Sequence, residues 1–456
     1  MKLKIIFFCL SLFYSINIIA ITDQQLLQLK QRFIPHAQVG VIFLDASTGK
    51  WLYKYHSNQR FNPASNVKLI IAASSLLYLG KNYHFTTTIA TDKKQQNIIH
   101  NLYLQFNGNP SLTKLQLKQL LKQLSIQHIQ QVTGNIYLDG SRFKSPDYAS
   151  GWTQDDIKWY YSAPITAISI DRNNTYLTLK HTRRAGDLLI AESKYIKILS
   201  DNIKATKNFN NCIFMLNMNQ KNQIHLSGCW PLHKVDSVLK IAIKNPELFV
   251  SNIIVRFLQQ QDIKFNGKII LQKINLQHKI IISQQNSVNL AILVKHMLKH
   301  SDNFYAESLL KNLGYEYYKT GSFTKGILAE QKILAKHGFY LANNTVYDAS
   351  GQSYYDLLTP HDLVKLLYVV YHSAIYQTIY QDLPISGIDG TLHYRLTKYK
   401  NIVHAKTGSM KIGNIALSGY AKISNKKTII FAILINHAEN LHQAKKFADI
   451  LLSKMI

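Results

Sequence analysis

The order of apolar and polar residues gives the chain a β-rich beginning, a helical stretch towards its end and a mixed middle. Residues 38–55 form two strand-like runs around a turn at residues 46–49, which predicts two paired strands. Residues 61–80 contain an almost wholly apolar helical body that ends at Gly80. A helix that is apolar on all sides is expected to lie buried at the centre of a domain.

The C-terminal part supplies matching elements. Helical segments fill about 288–380, and three β-type runs then precede a terminal helix from about Leu441. We therefore predict an α+β fold in which residues 21–82 and 287–456 form one discontinuous domain, with helices packed on an antiparallel sheet. Residues 83–286 alternate strand and helix signals and are predicted to be an insertion.

Residues 1–20 have the layout of a secretory signal peptide. Lys2 and Lys4 precede an apolar run that ends at Tyr14, and Ala20 is a plausible cleavage position. A membrane anchor is the alternative, but the apolar core is short for a span, and no later stretch approaches about 18 unbroken apolar residues. We predict an exported, periplasmic protein that is soluble or peripherally attached to a membrane.

The composition adds one further feature, the charge. Of the 456 residues, 46% are hydrophobic and 17% are charged, as in folded globular proteins. The formal net charge of +28 indicates an anionic partner. The export signal argues against nucleic acid and favours anionic lipid headgroups or wall polymers. A general abundance of lysine, asparagine and isoleucine is the alternative explanation.

Two cysteines, Cys212 and Cys229, remain after the predicted signal peptide, within which Cys9 lies. Both belong to apolar, strand-like runs joined by a polar turn. In an exported protein, two cysteines this close in sequence favour one disulfide, and two buried free thiols are the alternative.

Candidate chemistry begins with the pattern Ser-x-x-Lys. A serine becomes a nucleophile when a base within hydrogen-bond reach takes its proton, and residues three apart share one face of a helix. A helix N-terminus adds free N–H groups for developing negative charge, and burial lowers the pKa of a lysine. The pattern alone is not specific, because it occurs at eight serines: Ser47, Ser65, Ser111, Ser141, Ser237, Ser308, Ser322 and Ser424.

Ser65 and Lys68 meet all of these demands, because the pair opens the most apolar helix of the chain. Ser47 and Ser424 lie in predicted hairpin turns, and Ser308 lies in the middle of an amphipathic helix. Those three are predicted to be structural or surface residues.

The triplet Ser-Asp-Asn occurs twice. Ser301 lies between two helical runs, where a loop can direct a hydroxyl and an amide at a neighbouring helix start. Ser200 follows a strand-like run of the insertion and is predicted to lie in an ordinary turn. We therefore select Ser301 and Asn303.

The sequence Lys-Thr-Gly-Ser also occurs twice, and Lys-Thr-Gly is a signature of active-site serine enzymes. Lys319 ends a helix, where Gly321 suits the position beyond the end. Lys406 continues a β-type run that can pair with an extended peptide, with Gly408 leaving room for the substrate backbone. The N–H of Ser409 can then join that of the nucleophile in an oxyanion hole. The second copy is predicted to be catalytic.

With these motifs the chain resembles the penicillin-binding proteins of the penicillin-binding protein 4 type, the S13 family of D-alanyl-D-alanine carboxypeptidases and endopeptidases. The likeness covers nearly all of the chain after the leader, and it implies a domain like that of DD-peptidases and β-lactamases. This domain has a five-stranded antiparallel sheet and is split by two nested smaller domains, which can carry a cysteine pair. The likeness rests on "PASNVKL", "GNPSLT", "GWTQDDIKWYYSAPITAISIDRN", "SDNFYAESLL", "DASGQSYYDLLTP", "LPISGIDGTL" and "AKTGS".

The resemblance also implies roles. Ser65 would be acylated, with Lys68 as the general base. Ser301 would relay the proton to the leaving D-alanine, and Asn303 would orient Lys68 and the substrate amide. No metal or other cofactor is implied, since the 18 histidines form no His-Glu-x-x-His or similar cluster.

Substrate contacts follow in the same way. Lys406 and Thr407 would hold the terminal carboxylate. The chain departs from the family at Tyr354, where arginine is usual. We therefore predict that Asp156 takes the amine of a diaminopimelate-type stem peptide and that Lys411, on the strand beside the nucleophile, takes its carboxylate. The alternative is that Asp156 caps a helix and Lys411 is a solvated strand residue.

We predict a serine peptidase that cuts the terminal D-Ala-D-Ala bond, or the D-Ala–diaminopimelate cross-link, of peptidoglycan stem peptides. β-Lactams would be covalent inhibitors. A β-lactamase is one alternative, although the insertion and the lack of a Glu-x-x-Leu-Asn segment argue against it. A non-catalytic wall-binding protein is the second, and the three intact motifs argue against it.

Overall fold

The structure is a computed structural model that describes residues 21–180, 184–207, 212–232, 237–341, 345–425 and 427–456. The signal-peptide prediction for residues 1–20 lies outside the described residues. Among the helices that the structure describes, none has both the length and the apolar character that crossing a membrane requires.

The described residues form ten α-helices and twenty β-strands. The helices are α1 (Asp23–Phe33), α2 (Lys68–Leu79), α3 (Lys114–Ile126), α4 (Pro246–Gln260), α5 (Leu290–His300), α6 (Asn303–Tyr318), α7 (Phe323–Ala335), α8 (Pro360–Tyr371), α9 (Tyr376–Asp382) and α10 (Leu441–Ser453). The strands are β1 (Gln38–Asp45), β2 (Trp51–Tyr55), β3 (Thr86–Thr91), β4 (Lys94–Gln95), β5 (Ile98–Ile99), β6 (Leu102–Gln105), β7 (Gln131–Val132), β8 (Ile136–Asp139), β9 (Asn174–Lys180), β10 (Ile190–Glu192), β11 (Lys197–Thr206), β12 (Phe214–Met218), β13 (Gln223–Pro231), β14 (Ser237–Ala242), β15 (Lys264–Phe265), β16 (Ile269–Leu271), β17 (Ile280–Asn286), β18 (Val403–Met410), β19 (Asn414–Ser424) and β20 (Lys427–Asn436).

A five-stranded antiparallel sheet joins the two ends of the chain, with the strand order β18-β19-β20-β1-β2. Strand β1 pairs with β20 along its whole length, from Gln38 opposite Asn436 to Asp45 opposite Ile429. This pairing brings the N-terminal hairpin and the C-terminal strands into one sheet. The predicted α+β fold, with an antiparallel sheet made by both chain ends, is confirmed.

Helices cover both faces of this sheet. Successive side chains of a strand point to opposite faces. Accordingly, Ile42 and Leu44 of β1 pack with α2 and α5 to α8, whereas Val41 and Phe43 pack with α1 and α10. The predicted central helix is α2, which is buried at every position from Lys68 to Leu76. A residue at the start of α2 is therefore held rigidly and away from water.

Residues 83–286 enter and leave through neighbouring strands, because β3 and β17 pair antiparallel. Both strands belong to a sheet of order β16-β8-β6-β3-β17, which is accompanied by the sheets β15-β7-β5-β4, β10-β9-β14 and β11-β13-β12. Buried side chains from these sheets form one apolar cluster. The boundaries at 83 and 286 stay predictions, and so does the division into two nested domains. The pairing of β3 with β17 is consistent with an insertion that enters and leaves at neighbouring positions.

Cys212 and Cys229 lie beside each other at β12 and β13. Cys229 is in β13, Cys212 comes just before β12, and the two sulfur atoms are 2.13 Å apart. This is a disulfide bonding distance, and it favours the disulfide over the alternative of two buried free thiols.

We expect non-reducing mass spectrometry of the protein isolated without reductant to find one cross-linked peptide pair, from Cys212 and Cys229. The two residues are 17 positions apart, and the loop-entropy model gives about 3 kcal/mol for closing a loop of this size. Cys212→Ser and Cys229→Ser should lower the free energy of unfolding equally, because either change removes the same cross-link. Two alkylatable thiols in native material would contradict the prediction.

Candidate active site

Ser65 and Lys68 lie in a tight turn that leads into α2. The pair opens the helical segment as the sequence predicts, but its first turn is of the 3₁₀ type: residues Ala64–Val67 form a 3₁₀ turn, and the α-helix begins at Lys68. Side chains three residues apart eclipse one another in a 3₁₀ turn. Lys68 Nζ is therefore 3.0 Å from Ser65 Oγ, and the two atoms are hydrogen-bonded.

Two glycines allow other segments to approach this turn. Ala64 has a φ of +45°, a left-handed conformation that is uncommon for a residue with a Cβ. A Cβ on Gly351 would lie 1.8 Å from the carbonyl oxygen of Ala64, and a Cβ on Gly408 would lie 3.0 Å from the backbone nitrogen of Ser65. Gly408 thus lets β18 pack against the nucleophile turn. The sequence predicted a different role for Gly408, namely that it leaves room for the substrate backbone.

Lys68 is fully buried, and its ammonium or amine group has three partners. Besides Ser65, Lys68 Nζ contacts Asn303 Oδ1 at 2.8 Å and the carbonyl oxygen of Ser350 at 2.6 Å. Burial lowers the pKa of Lys68 to about 8, against the opposing effect of carboxylates such as Asp348. A sizeable fraction of Lys68 is therefore neutral near physiological pH, as a general base must be.

The loop that carries Ser350 is held by two buried carboxylates. Glu307 accepts hydrogen bonds from the N–H groups of Ala349 at 3.1 Å and Ser350 at 2.8 Å. Asp348 accepts from the N–H of Gly351 at 2.6 Å. Burial, and then the charge of Asp348, raise the pKa of Glu307. These bonds fix the carbonyl oxygen that contacts Lys68.

Ser301 contacts the second buried lysine, Lys406. Ser301 lies between α5 and α6 with a φ of +55°, and its Oγ is 2.9 Å from Lys406 Nζ. Lys406 also donates to the carbonyl oxygen of Thr407 at 2.7 Å. Burial, and then the charge of Lys68, hold the pKa of Lys406 well below its usual value.

One cavity of about 410 Å³ opens onto this arrangement. It is lined by Ser65, Asp156, Tyr160, Tyr161, Ser301, Asn303, Gly351, Gln352, Tyr354, Thr391, Thr407, Gly408, Ser409, Met410 and Lys411. All of the site residues predicted from the sequence therefore line the cavity, apart from Lys68 and Lys406. Those two lysines are fully buried behind it and reach it through Ser65 and Ser301.

The rejected copies of the motifs lie elsewhere. Ser200 is in strand β11, opposite His225 of β13, so its prediction as a turn residue is wrong. Lys319 follows α6, and it is this lysine, with a φ of +57°, that takes the left-handed position past the helix end. Gly321 instead permits a close approach, because a Cβ there would lie 2.3 Å from the carbonyl oxygen of Arg142.

Asp156 and Lys411 contact each other at the cavity mouth. Lys411 Nζ lies 3.6 Å from Asp156 Oδ1 and 3.2 Å from Tyr161 Oη. Asp156 lies in a turn, where it accepts from Thr153 Oγ1 and Tyr161 Oη, each at 2.8 Å. Lys411 follows β18 in the next turn and is not on the strand, contrary to the prediction. Tyr354 lines the same cavity, and burial, followed by the charge of Asp156, raises its pKa.

Three further contacts escaped the sequence analysis. Asn303 Nδ2 donates to the carbonyl oxygen of Tyr161 and to Gln352 Oε1, each at 2.9 Å. The hydroxyl of Thr391 is 2.6 Å from that of Thr407. All three partners lie in segments that resemble the family, but nothing within those segments tells which side chain or carbonyl meets the site.

A serine hydrogen-bonded to a buried lysine, a Ser-Asp-Asn loop and a Lys-Thr-Gly-Ser strand around one cavity are the parts expected of active-site serine enzymes that open peptides or β-lactams. The comparison with known families agrees. The chain belongs to the D-Ala-D-Ala carboxypeptidase 3 (S13) family, whose model matches residues 24–454. The family resemblance found in the motifs is thereby confirmed.

Individual relatives match over most of their length. The chain is 29% identical over 441 residues to the D-alanyl-D-alanine carboxypeptidase DacB of Haemophilus influenzae, covering 94% of this chain and 90% of the relative. It is 27% identical over 402 residues to the D-alanyl-D-alanine carboxypeptidase of Actinomadura sp. strain R39, covering 84% of this chain and 74% of the relative.

Solved structures give the same result. Penicillin binding protein 4 (dacB) from Haemophilus influenzae has a TM-score of 0.88 and 27% identity, covering 94% of this chain and 98% of that one. The same protein complexed with a novel β-lactam has a TM-score of 0.84 and 26% identity, with the same coverage of both chains.

Proposed function

We propose that this chain is a periplasmic serine DD-peptidase that acts through an acyl-enzyme on Ser65. Its substrates would be the terminal D-Ala-D-Ala bond of peptidoglycan stem peptides and the D-Ala–diaminopimelate bond of cross-links. The observation that supports this most strongly is the 3.0 Å contact between Ser65 Oγ and the fully buried Lys68 Nζ. A wall-binding protein without activity would have no use for a buried lysine at this place.

In the proposed acylation, neutral Lys68 takes the proton of Ser65 as its Oγ attacks the carbonyl carbon of the penultimate D-alanine. The carbonyl oxygen becomes an oxyanion, for which we assign the backbone N–H groups of Ser65 and Ser409. When the C–N bond breaks, the terminal D-alanine leaves as an amine and needs one proton. Water then attacks the acyl carbon and gives up one proton, which restores the group that protonated the amine, while Lys68 returns to Ser65 the proton that it took.

Ser301 is suited to deliver the proton to the leaving amine. Its Oγ lines the cavity and is 2.9 Å from Lys406 Nζ, so Lys406 in its ammonium form can pass a proton through the hydroxyl and become neutral, to be re-protonated when water attacks the acyl carbon. We therefore assign Lys406 a role behind Ser301. The terminal carboxylate, which the resemblance gave to Lys406 and Thr407, would meet the hydroxyls of Thr407 and Ser409, because these line the cavity and Lys406 does not contact it directly.

β-Lactams should acylate Ser65 by the same attack, with ring opening in place of amine departure. A relative of this fold has been solved in complex with a β-lactam.

The net charge of +28 supports a second kind of partner. We propose that the surface of the protein contacts an anionic membrane or wall polymer.

The experiment that tests this function combines two substrates. The mature protein is incubated with benzylpenicillin, and both adduct mass and product release are followed, while a stem pentapeptide is assayed for released D-alanine. A lasting adduct together with D-alanine release supports the peptidase. Rapid penicillin turnover would instead indicate a β-lactamase, and the absence of both adduct and cleavage would indicate a binding protein.

The Asp156–Lys411 pair at the cavity mouth suggests how the substrate is selected. A diaminopimelate side chain ends in an ammonium and a carboxylate on one carbon. We propose that its ammonium replaces Lys411 at Asp156, and that the released Lys411 pairs with its carboxylate. The side chain of Lys411 is 77% exposed, so water can replace its contacts with Asp156 and Tyr161, whereas the side chain of Asp156 is 12% exposed and is held by Thr153 and Tyr161.

Asp156→Asn and Lys411→Gln should each weaken cleavage of diaminopimelate peptides by about 1–3 kcal/mol in kcat/KM. Acylation by benzylpenicillin, which lacks that side chain, should barely change. Asp155→Asn is the matched control, since its side chain is 95% exposed and pairs with Lys158. Equal losses with both reagents would mean that Asp156 and Lys411 support the fold or the chemistry and do not select the substrate.

A further inference from the structure

The middle residue of the Ser-Asp-Asn loop contacts the inserted region. Asp302 Oδ2 accepts a hydrogen bond from Arg172 Nη1 at 2.8 Å, and only 9% of the Asp302 side chain is exposed. Asp302 Oδ1 accepts from the backbone N–H of Tyr305 at 3.2 Å and so caps α6. One carboxylate therefore joins the catalytic loop, the start of α6 and the insertion.

The backbone around Arg172 is strained. Asp171, Arg172 and Asn173 have φ values of +49°, +60° and +51°, and three left-handed residues in succession are costly without glycine. Surrounding contacts hold this conformation: Asn173 Nδ2 donates to the carbonyl oxygen of Pro164 at 2.9 Å, and the N–H of Lys114 donates to Asp171 Oδ1 at 3.1 Å. The strained turn thereby directs the guanidinium group to a fixed place at Asp302.

Asp302 is charged and depends on its partners. Burial raises the pKa of Asp302, but His296 and Arg172 outweigh burial and bring the pKa down to about 2. His296 Nε2 lies 3.2 Å from Asp302 Oδ2, on the same oxygen that Arg172 contacts. Of these two partners Arg172 is the one that carries a permanent charge. A buried carboxylate that loses such a partner has to move towards water or take up a proton.

Movement of Asp302 would displace catalytic groups, because the residues before and after it in the chain contact the two buried lysines. Ser301 Oγ is 2.9 Å from Lys406 Nζ, and Asn303 Oδ1 is 2.8 Å from Lys68 Nζ. We propose that Arg172 is a positioning residue that holds Ser301 and Asn303 in register with the two lysines through its ion pair with Asp302. This proposal rests on acylation of Ser65, and it makes the inserted region a support of the active site.

The test is the kinetics of adduct formation with benzylpenicillin, followed by intact mass at several penicillin concentrations. The time courses separate initial binding from the acylation rate constant. Arg172→Gln should slow acylation ten- to a hundredfold with little change in initial binding, because misplacement of catalytic groups by about 1 Å costs rate at this level. The adduct should still reach one per chain, on Ser65. Arg172→Lys, which keeps the charge, should recover part of the rate.

Two further variants make the test specific. Asp302→Asn should also slow acylation, and the double variant Arg172→Gln/Asp302→Asn should be no slower than Asp302→Asn alone, since the two residues act as one pair. Lys114→Gln is the matched control, because Lys114 pairs with Asp171 in the same turn, 3.4 Å from Asp171 Oδ2. It should leave the acylation rate unchanged.

Either of two results would overturn the proposal: Arg172→Gln acylates at the wild-type rate, or the losses of the two single variants multiply in the double variant. If Arg172→Gln lowers the thermal midpoint but acylates normally well below that midpoint, Arg172 only stabilises the fold and the proposal is wrong. Should Arg172→Gln fail to fold, Arg172→Lys and Asp302→Asn still give the comparison. Failure of the proposed function would look different, because the wild-type protein itself would then form no adduct or would release it in rapid turnover.

Discussion

Replacement of Ser65 by alanine is expected to abolish the covalent adduct with benzylpenicillin. The hydroxyl is the proposed nucleophile and lies 3.0 Å from Lys68 Nζ, whose two other described partners, Asn303 Oδ1 and the carbonyl oxygen of Ser350, carry no proton to remove. Peptide cleavage should fall by about 10⁶-fold, the scale seen when an activated serine is removed from a serine peptidase. Intact mass spectrometry measures the adduct, and peptide mapping of the wild-type adduct should locate it at Ser65.

The matched control is Ser47→Ala. Ser47 also begins a Ser-x-x-Lys pattern, with Lys50, but both residues are exposed in the turn between β1 and β2. Ser47 Oγ donates to Asp45 Oδ1 at 2.6 Å, so this serine has a structural partner and no buried base. Ser47→Ala should form the adduct at the wild-type rate. An adduct that persists in Ser65→Ala would remove Ser65 from the nucleophile role.

Ser65 could be selected among eight serines from the sequence alone, because the residues that bury its partner Lys68 follow directly in the chain. The helix that follows is apolar at nearly every position, which predicted that Lys68 would be buried, and its side chain is fully buried in the structure. Local pattern also separated Lys406, which continues a β-type run, from Lys319, which lies at a helix end. The strands of the sheet could be predicted for the same reason, because alternating and continuous apolar runs are properties of consecutive residues.

The contacts that complete the site could not be predicted in this way. Lys68 meets the carbonyl oxygen of Ser350, and Asn303 meets that of Tyr161, across sequence distances that no periodicity encodes. The ion pair of Asp156 with Lys411 could not be predicted either. The sequence indicated both residues as substrate contacts, but only the packing of the insertion near the end of β18 brings the two side chains together. The 3₁₀ start of the helix also depends on tertiary packing, through Gly351 and Gly408.

Lys68→Ala should lower the acylation rate by about 10²–10⁴-fold, the usual contribution of a general base. The wild-type rate should rise about tenfold per pH unit below pH 8 and level off above it. The sign follows from the role: only the neutral amine accepts a proton, and burial lowers the pKa of Lys68 to about 8, so raising the pH through that value increases the active form. Rates of adduct formation with benzylpenicillin between pH 6 and pH 9.5 measure this profile.

Two variants determine which lysine is responsible for that rise. Lys50→Ala, which removes an exposed lysine of the same spacing, should keep both the rate and the pH profile. Lys406→Ala should slow departure of the leaving group but keep the rise, because Lys406 reaches the cavity through Ser301 and not through Ser65. Burial and Lys68 also lower the pKa of Lys406, so the two lysines are real competitors for the role of base. If Lys68→Ala keeps the rise and Lys406→Ala loses it, the base is Lys406, and the proton of Ser65 leaves through Ser301.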